Sequence, residues 1–144
     1  MGDSVERYIA IDNVCAWPNL TLLPDGTLTA TIYSQPVHGR WVGDVELWVS
    51  TDDGRLWQKR SAAVPAEPPG NRMDVAAGLA ANGDLIVISS GWNPVQAPGT
   101  DVPDFDFSAS QCLDARVCRS ADAGHTWERA DTVTVPDDPE GWCI

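Results

Sequence analysis

The sequence predicts an all-β protein built from two copies of one four-stranded antiparallel unit. Two observations carry this. Short apolar runs are separated by clusters drawn from 12 Gly and 11 Pro, with no amphipathic helix of useful length among 144 residues that are 43% hydrophobic. An octapeptide also recurs seventy residues apart, as Ser50-Thr-Asp52-Asp-Gly54-Arg-Leu-Trp57 and Ser120-Ala-Asp122-Ala-Gly124-His-Thr126-Trp127, each time behind a matching hairpin.

In the first unit, a strand at about 18–23 turns through Pro24-Asp25-Gly26 into a second at 27–34. A third at 45–50 turns through the octapeptide into a fourth at 56–60. The second unit repeats this at about 75–80, 84–90, 115–119 and 126–130, with Gly83 standing where Gly26 stands. A further strand is expected at about 7–13, ahead of the first unit. The expected layout is a single domain over 1–144, with units at 14–60 and 71–130 and a tail, or the start of another unit, at 131–144. Four-stranded antiparallel units in tandem are the pattern of propeller blades.

The octapeptide has a physical logic. Gly54 and Gly124 supply the positive φ of a tight turn. Asp52 and Asp122, two residues earlier, can accept hydrogen bonds from the turn's own amides, and Ser50 and Ser120 can do the same. Trp57 and Trp127 open the next strand with a large apolar face.

This S-x-D-x-G-x-x-W pattern resembles the Asp box of the sialidase superfamily, matched in full from Ser120 to Trp127 and with Leu56 in place of Thr in the first copy. The segments AWPNLTLLPDGTL at 16–28, HGRWVGDVELWVSTDDG at 38–54 and NRMDVAAGLAANGDLIVISSGW at 71–92 are similar to bacterial exo-α-sialidases. The resemblance implies about two blades of a six-bladed β-propeller and, in the enzymes, hydrolysis of terminal sialic acids. The Asp box itself is a folding turn, so it speaks to fold and not to chemistry.

Strand parity places the tight turns and both Asp boxes at one end of the units. The longer loops at 34–44, 61–74 and 91–114 lie at the other, where sites are carried. Sialidases hold the substrate carboxylate with arginine forks, use an Asp as general acid/base and a Tyr as nucleophile. By order and place, Arg40 and Asp44 resemble the family's Arg and acid/base Asp; a solvated loop carboxylate, or one capping a turn, is the alternative for Asp44. Arg72, ahead of an inner strand, is a candidate substrate-binding group, or else a partner of Asp74 or Glu67. His38, Trp41 and Asp74 complete the candidates, with Trp41 and Trp92 able to stack on a sugar or to pack beneath the loops. The family's nucleophile and remaining arginines belong to later blades, and only Tyr8 and Tyr33 are present. The expected function is therefore that of a sialidase-like glycoside hydrolase fragment, inactive alone. The alternatives are a carbohydrate-binding module in which three copies make a ring through open strand edges, or a scaffold without catalysis.

A net charge of −12 argues against nucleic acid or an anionic membrane as partner and leaves a glycan or sialoside, or a second copy of the chain. No secretory signal or membrane span is read, which makes the cytoplasm the default expectation. Cys15, Cys112, Cys118 and Cys143 suit no common zinc spacing and read as thiols, with a Cys112–Cys118 pair as the alternative. The acidic stretch holding Asp101, Asp104 and Asp106 lacks the spacing of a calcium loop, so no metal or other cofactor is expected.

Overall fold

A computed structural model describes residues 5–95 and 109–133. These form two four-stranded antiparallel sheets, and no helix occurs among the described residues. The first sheet runs in the order β1 (Cys15–Leu22), β2 (Leu28–Tyr33), β3 (Val45–Ser50) and β4 (Gln58–Val64). The second runs β5 (Asp74–Leu79), β6 (Leu85–Asn93), β7 (Gln111–Ser120) and β8 (Glu128–Val133). All-β architecture and the strand order are as the sequence predicts. The expected strand at 7–13 is not formed: that segment runs without ladder pairing, and its Tyr8 phenol bonds to the carbonyl of Gly54 instead.

The repeat is visible in local hydrogen bonds. In the first hairpin the Gly26 amide bonds to the Leu23 carbonyl at 3.0 Å, and Leu23 N–H bonds to the Thr27 carbonyl at 2.8 Å. In the second the corresponding bonds are Gly83 to Ala80 at 2.9 Å and Ala80 to Asp84 at 2.8 Å.

The core is the seam between the sheets. Val45 and Leu47 of β3 and Ala63 and Val64 of β4 are fully buried there, against Leu85 and Val87 of β6 and Cys118 of β7. Trp127 packs on both clusters. Period-2 alternation then sends Leu20, Ala30, Ile32 and Trp48 to the far face of the first sheet, and Ile86, Ile88 and Val117 to the far face of the second. Polar side chains also lock the seam. Asn19 of β1 donates to the Val75 carbonyl at 3.0 Å and accepts from the Ala77 amide at 3.3 Å.

Cys15, Cys112 and Cys118 are thiols, so Cys112 and Cys118 are not bridged to each other. Burial pushes the thiols of Cys15 and Cys118 up from their ordinary value. Cys143, the acidic stretch 101–106 and the stretch 134–144 lie outside the described residues. Among the described residues no helix is long and apolar enough to cross a membrane, and no His/Cys/Asp/Glu cluster could hold a metal ion.

Candidate functional site

At one end of the sheets sit the two Asp boxes. In each, the residue before the glycine and the glycine itself are left-handed: Asp53 (φ 59°) and Gly54 (φ 83°), Ala123 (φ 57°) and Gly124 (φ 85°). Ser50 donates to Asp52 Oδ1 at 2.7 Å and accepts the Gly54 amide at 2.9 Å. Asp52 Oδ1 in turn accepts the amides of Arg55 at 3.1 Å and Leu56 at 2.9 Å. The second box repeats the serine bonds and the amide bond two residues beyond the glycine through Ser120, Asp122, Gly124 and Thr126, and adds one from the Thr126 hydroxyl to Asp122 Oδ2 at 2.6 Å. Both carboxylates are consumed in holding their own turns.

The opposite end gathers the loops 34–44 and 65–73 with the start of β7. Asn71, fully buried, is the knot. Its Nδ2 donates to the Gly39 carbonyl at 2.7 Å, its backbone N–H to the Trp92 carbonyl at 2.9 Å, and its Oδ1 accepts the Trp92 amide at 3.2 Å. Gly91 must lack a side chain because a Cβ there would lie 2.0 Å from the Asn71 carbonyl oxygen. Asp44 ties the same loops. Its Oδ1 accepts the Ala66 amide at 2.7 Å, while its own amide donates to the Ser34 hydroxyl oxygen at 2.9 Å.

Arg72 lies beside these loops through its amide, which bonds to the Gly43 carbonyl at 2.9 Å. Its side chain is only 5% exposed and reaches Glu67 Oε2 at 3.3 Å and the Asp114 carbonyl at 2.8 Å. Arg116, on β7, points to the same carboxylate from the other side. It is 9% exposed, meets Glu67 Oε1 at 2.6 Å and donates to the Pro65 carbonyl at 3.3 Å. Two arginine forks thus converge on one carboxylate whose own side chain is 61% exposed. The Nε of Arg72 and of Arg116 is buried with no hydrogen-bond partner among the described residues. Burial first, and the Arg116 charge second, draw Arg72 down from its ordinary value; an arginine so placed still carries its proton. The hydrogen bond from Arg116, ahead of its charge, holds Glu67 below the usual carboxylate value.

The same loop end also carries aromatic groups. Trp17, with the left-handed φ of 37°, sits in an irregular stretch of β1 and meets His38 edge-on, with ring centroids 4.8 Å apart. Trp41 is half-exposed, and its carbonyl accepts the Tyr33 phenol. Arg40 and His38 are exposed on the same loop, Asp74 opens β5, and Trp92 is half-buried on β6. Structure therefore joins Arg72 to Glu67, as one of the sequence alternatives had it, and adds Arg116 and Asn71. Neither addition carries a sequence signal: Arg116 is one residue in a strand, and Asn71 one polar residue in a loop.

No protein-family model matches the chain, and no curated protein matches it. Among solved structures, the chain is similar to a protein of unknown function from Dyadobacter fermentans, at 19% identity and a TM-score of 0.60. The match covers 80% of this chain and 35% of that one, so the chain spans about a third of the length of that structure. At this identity the likeness speaks for the fold alone.

Proposed function

We propose that the two sheets are neighbouring blades of a sialidase-type β-propeller, and that their loop end recognises the carboxylate of a sialoside or related acidic glycan without hydrolysing it. One observation carries this reading: Arg72 and Arg116, both about nine-tenths buried, converge on the exposed carboxylate of Glu67. A guanidinium pair shielded from water and aimed outward is a receptor for a planar anion, and Glu67 shows the geometry such an anion takes. A ligand carboxylate binds by exchanging with Glu67, while Trp41 and the Trp17–His38 pair offer ring faces to the sugar.

Hydrolysis is not supported by the groups at hand. Burial raises the Tyr33 phenol to about 12, so its phenolate is inaccessible near neutrality. Tyr8 is committed to Gly54 at the other end.

Titration calorimetry with sialyllactose and with neutral lactose tests the reading. The acidic sugar should bind, more weakly as salt rises, and Glu67→Gln should tighten it several-fold by removing the internal competitor. Equal behaviour of the two sugars, or turnover of a fluorogenic sialoside by the chain, would overturn it. A second reading rests on the bonds to Asp114 and Pro65: the cluster is a clamp fastening the 65–73 loop to β7. In that case Glu67→Gln lowers stability and leaves sugar binding absent.

A further inference from the structure

Arg72 and Arg116 reach Glu67 from positions of very different firmness. Arg116 sits inside β7, paired on one side with Ser89 of β6 and on the other with Thr132 of β8. A ladder on both sides fixes its Cα and the direction in which its side chain leaves the sheet. Arg72 has no such frame: it precedes β5, which opens at Asp74, and lies in the loop that leaves β4. Its guanidinium is held by the Asp114 carbonyl and by Glu67, whose side chain is 61% exposed. A guanidinium on a flexible stem serves as a fork only when its root is fixed, and at Arg72 that root is not in a strand.

The root is held by the residue before it. Asn71 and Arg72 run between the 34–44 loop and the end of β6 and are tied to both. On the loop side, Asn71 Nδ2 donates to the Gly39 carbonyl at 2.7 Å, and the Arg72 amide donates to the Gly43 carbonyl at 2.9 Å. On the strand side, the Asn71 amide donates to the Trp92 carbonyl at 2.9 Å, and Asn71 Oδ1 accepts the Trp92 amide at 3.2 Å. Both anchors are firm. Trp92 stands in the β6–β7 ladder opposite Cys112. In the loop, Gln35 Nε2 donates to the Val42 carbonyl at 2.9 Å, and the Tyr33 phenol donates to that of Trp41. A Cβ at Gly43 would lie 2.6 Å from Tyr33 Cε2, so the loop also packs closely. The bridge needs a donor and an acceptor on one short side chain; an ionised aspartate of the same size has no donor for Gly39.

We infer that Asn71 is a positioning residue: through the main chain it shares with Arg72, it holds that guanidinium opposite Arg116 and so sets the spacing of the two forks. Asn71 is fully buried and acts without touching a ligand. Its hold matters most when a ligand carboxylate exchanges with Glu67, because Arg72 then gives up its Glu67 contact and keeps its place through the Asn71 bridge and the Asp114 carbonyl. The inference rests on the proposed ligand only for what the forks receive; the hold on Arg72 exists without one.

Solvent exchange of the arginine Nε protons, followed by nitrogen-15 NMR, tests it. Both Nε atoms are buried, so wild-type protein should show two slowly exchanging signals. Asn71→Ala should speed exchange at Arg72 by about tenfold or more and leave Arg116 unchanged. Gly91→Ala should do the same by another route, since its Cβ would lie 2.0 Å from the Asn71 carbonyl oxygen. The Gly54 and Gly124 amides, bonded to Ser50 and Ser120 at the other end, should stay protected in both variants. An Arg72 signal unchanged in both variants would overturn the inference. So would loss of protection at the box amides as well, which would make Asn71 a residue of the whole fold. In calorimetry, Asn71→Ala should weaken sialyllactose by about tenfold, the loss of one charge-assisted hydrogen bond, without altering lactose. Unchanged sialyllactose affinity in a variant whose Arg72 signal has moved would also overturn it. Wild-type protein that binds neither sugar would remove the proposed ligand alone, and the arginine signals would still decide the positioning.

Discussion

The first and second Asp boxes are nearly the same turn placed in two different surroundings. Inside the turn the serine–aspartate–amide network repeats bond for bond. Outside it, the second box is pressed into the seam, with Gly124 buried against Leu47 and its carbonyl held by Ser61. The first faces outward and is met by Tyr8. The difference separates what a turn sequence does for itself from what its place in the molecule adds. The closing geometry is local and belongs to the octapeptide; the contribution to the core depends on which sheet lies next to it.

Alanine at the two box glycines should break the comparison most sharply. Both positions have φ above +80°, which costs a side chain about 1 kcal/mol. At Gly54 the added methyl meets nothing nearer than 3.6 Å, whereas at Gly124 it lies 2.0 Å from the Cδ2 of fully buried Leu47. Gly124→Ala should therefore lose about 1–3 kcal/mol more than Gly54→Ala, through overpacking of the seam. Urea unfolding followed by tryptophan fluorescence reads both.

Removing the outer hydroxyls comes next. Ser61→Ala strands a half-buried indole N–H and a carbonyl, and should cost about 1–2 kcal/mol in the same assay. Tyr8→Phe, at the exposed box, should cost about 0.5 kcal/mol or less. If the two losses are equal, the environments differ less than their hydrogen bonds indicate.

Acid sharpens the contrast further. The Thr126 hydroxyl, then its amide, hold Asp122 far below its ordinary value of 3.8; the Leu56 amide leads the lowering at Asp52. A carboxylate depressed in the folded state stabilises above its unfolded value and loses that contribution as pH falls toward the folded one. Thermal stability should thus decline as pH drops below about 4, with a shallower decline in Asp122→Asn than in Asp52→Asn. Equal slopes in the two variants would remove the asymmetry. One further expected effect is a gain. Leu56→Thr gives the first box the hydroxyl the second already uses, and it replaces a leucine that is 71% exposed. It should raise stability by about 0.5–1 kcal/mol, with Thr126→Leu losing a similar amount.

How legible the molecule was follows the same division. Turn glycines, the box network and the period-2 strands act over a few residues, so Gly26, Gly83, Ser50 and Asp122 could be read directly. The 7–13 segment has strand-like residues but, among the described residues, no strand beside it to pair with, and a ladder needs two strands. For the candidate site, sequence named Arg72 and offered Glu67 as its partner, because the two stand five residues apart. It could not name Arg116, forty-four residues further on, since only the packing of β7 against the 65–73 loop brings that guanidinium to the same carboxylate.

By itself, then, the sequence determined two all-β units of four strands, where each would turn, and which end would carry the short turns. Those outcomes rest on φ preferences and on hydrogen bonds within a few residues. Tertiary structure alone decided that the units pack along a seam, that Ser61 and not Tyr8 completes a box within it, and that Asn71 knots the loop end. It also decided that Arg72 and Arg116 share Glu67. Each of these depends on residues far apart in the chain, which meet only once the two sheets are fixed against each other.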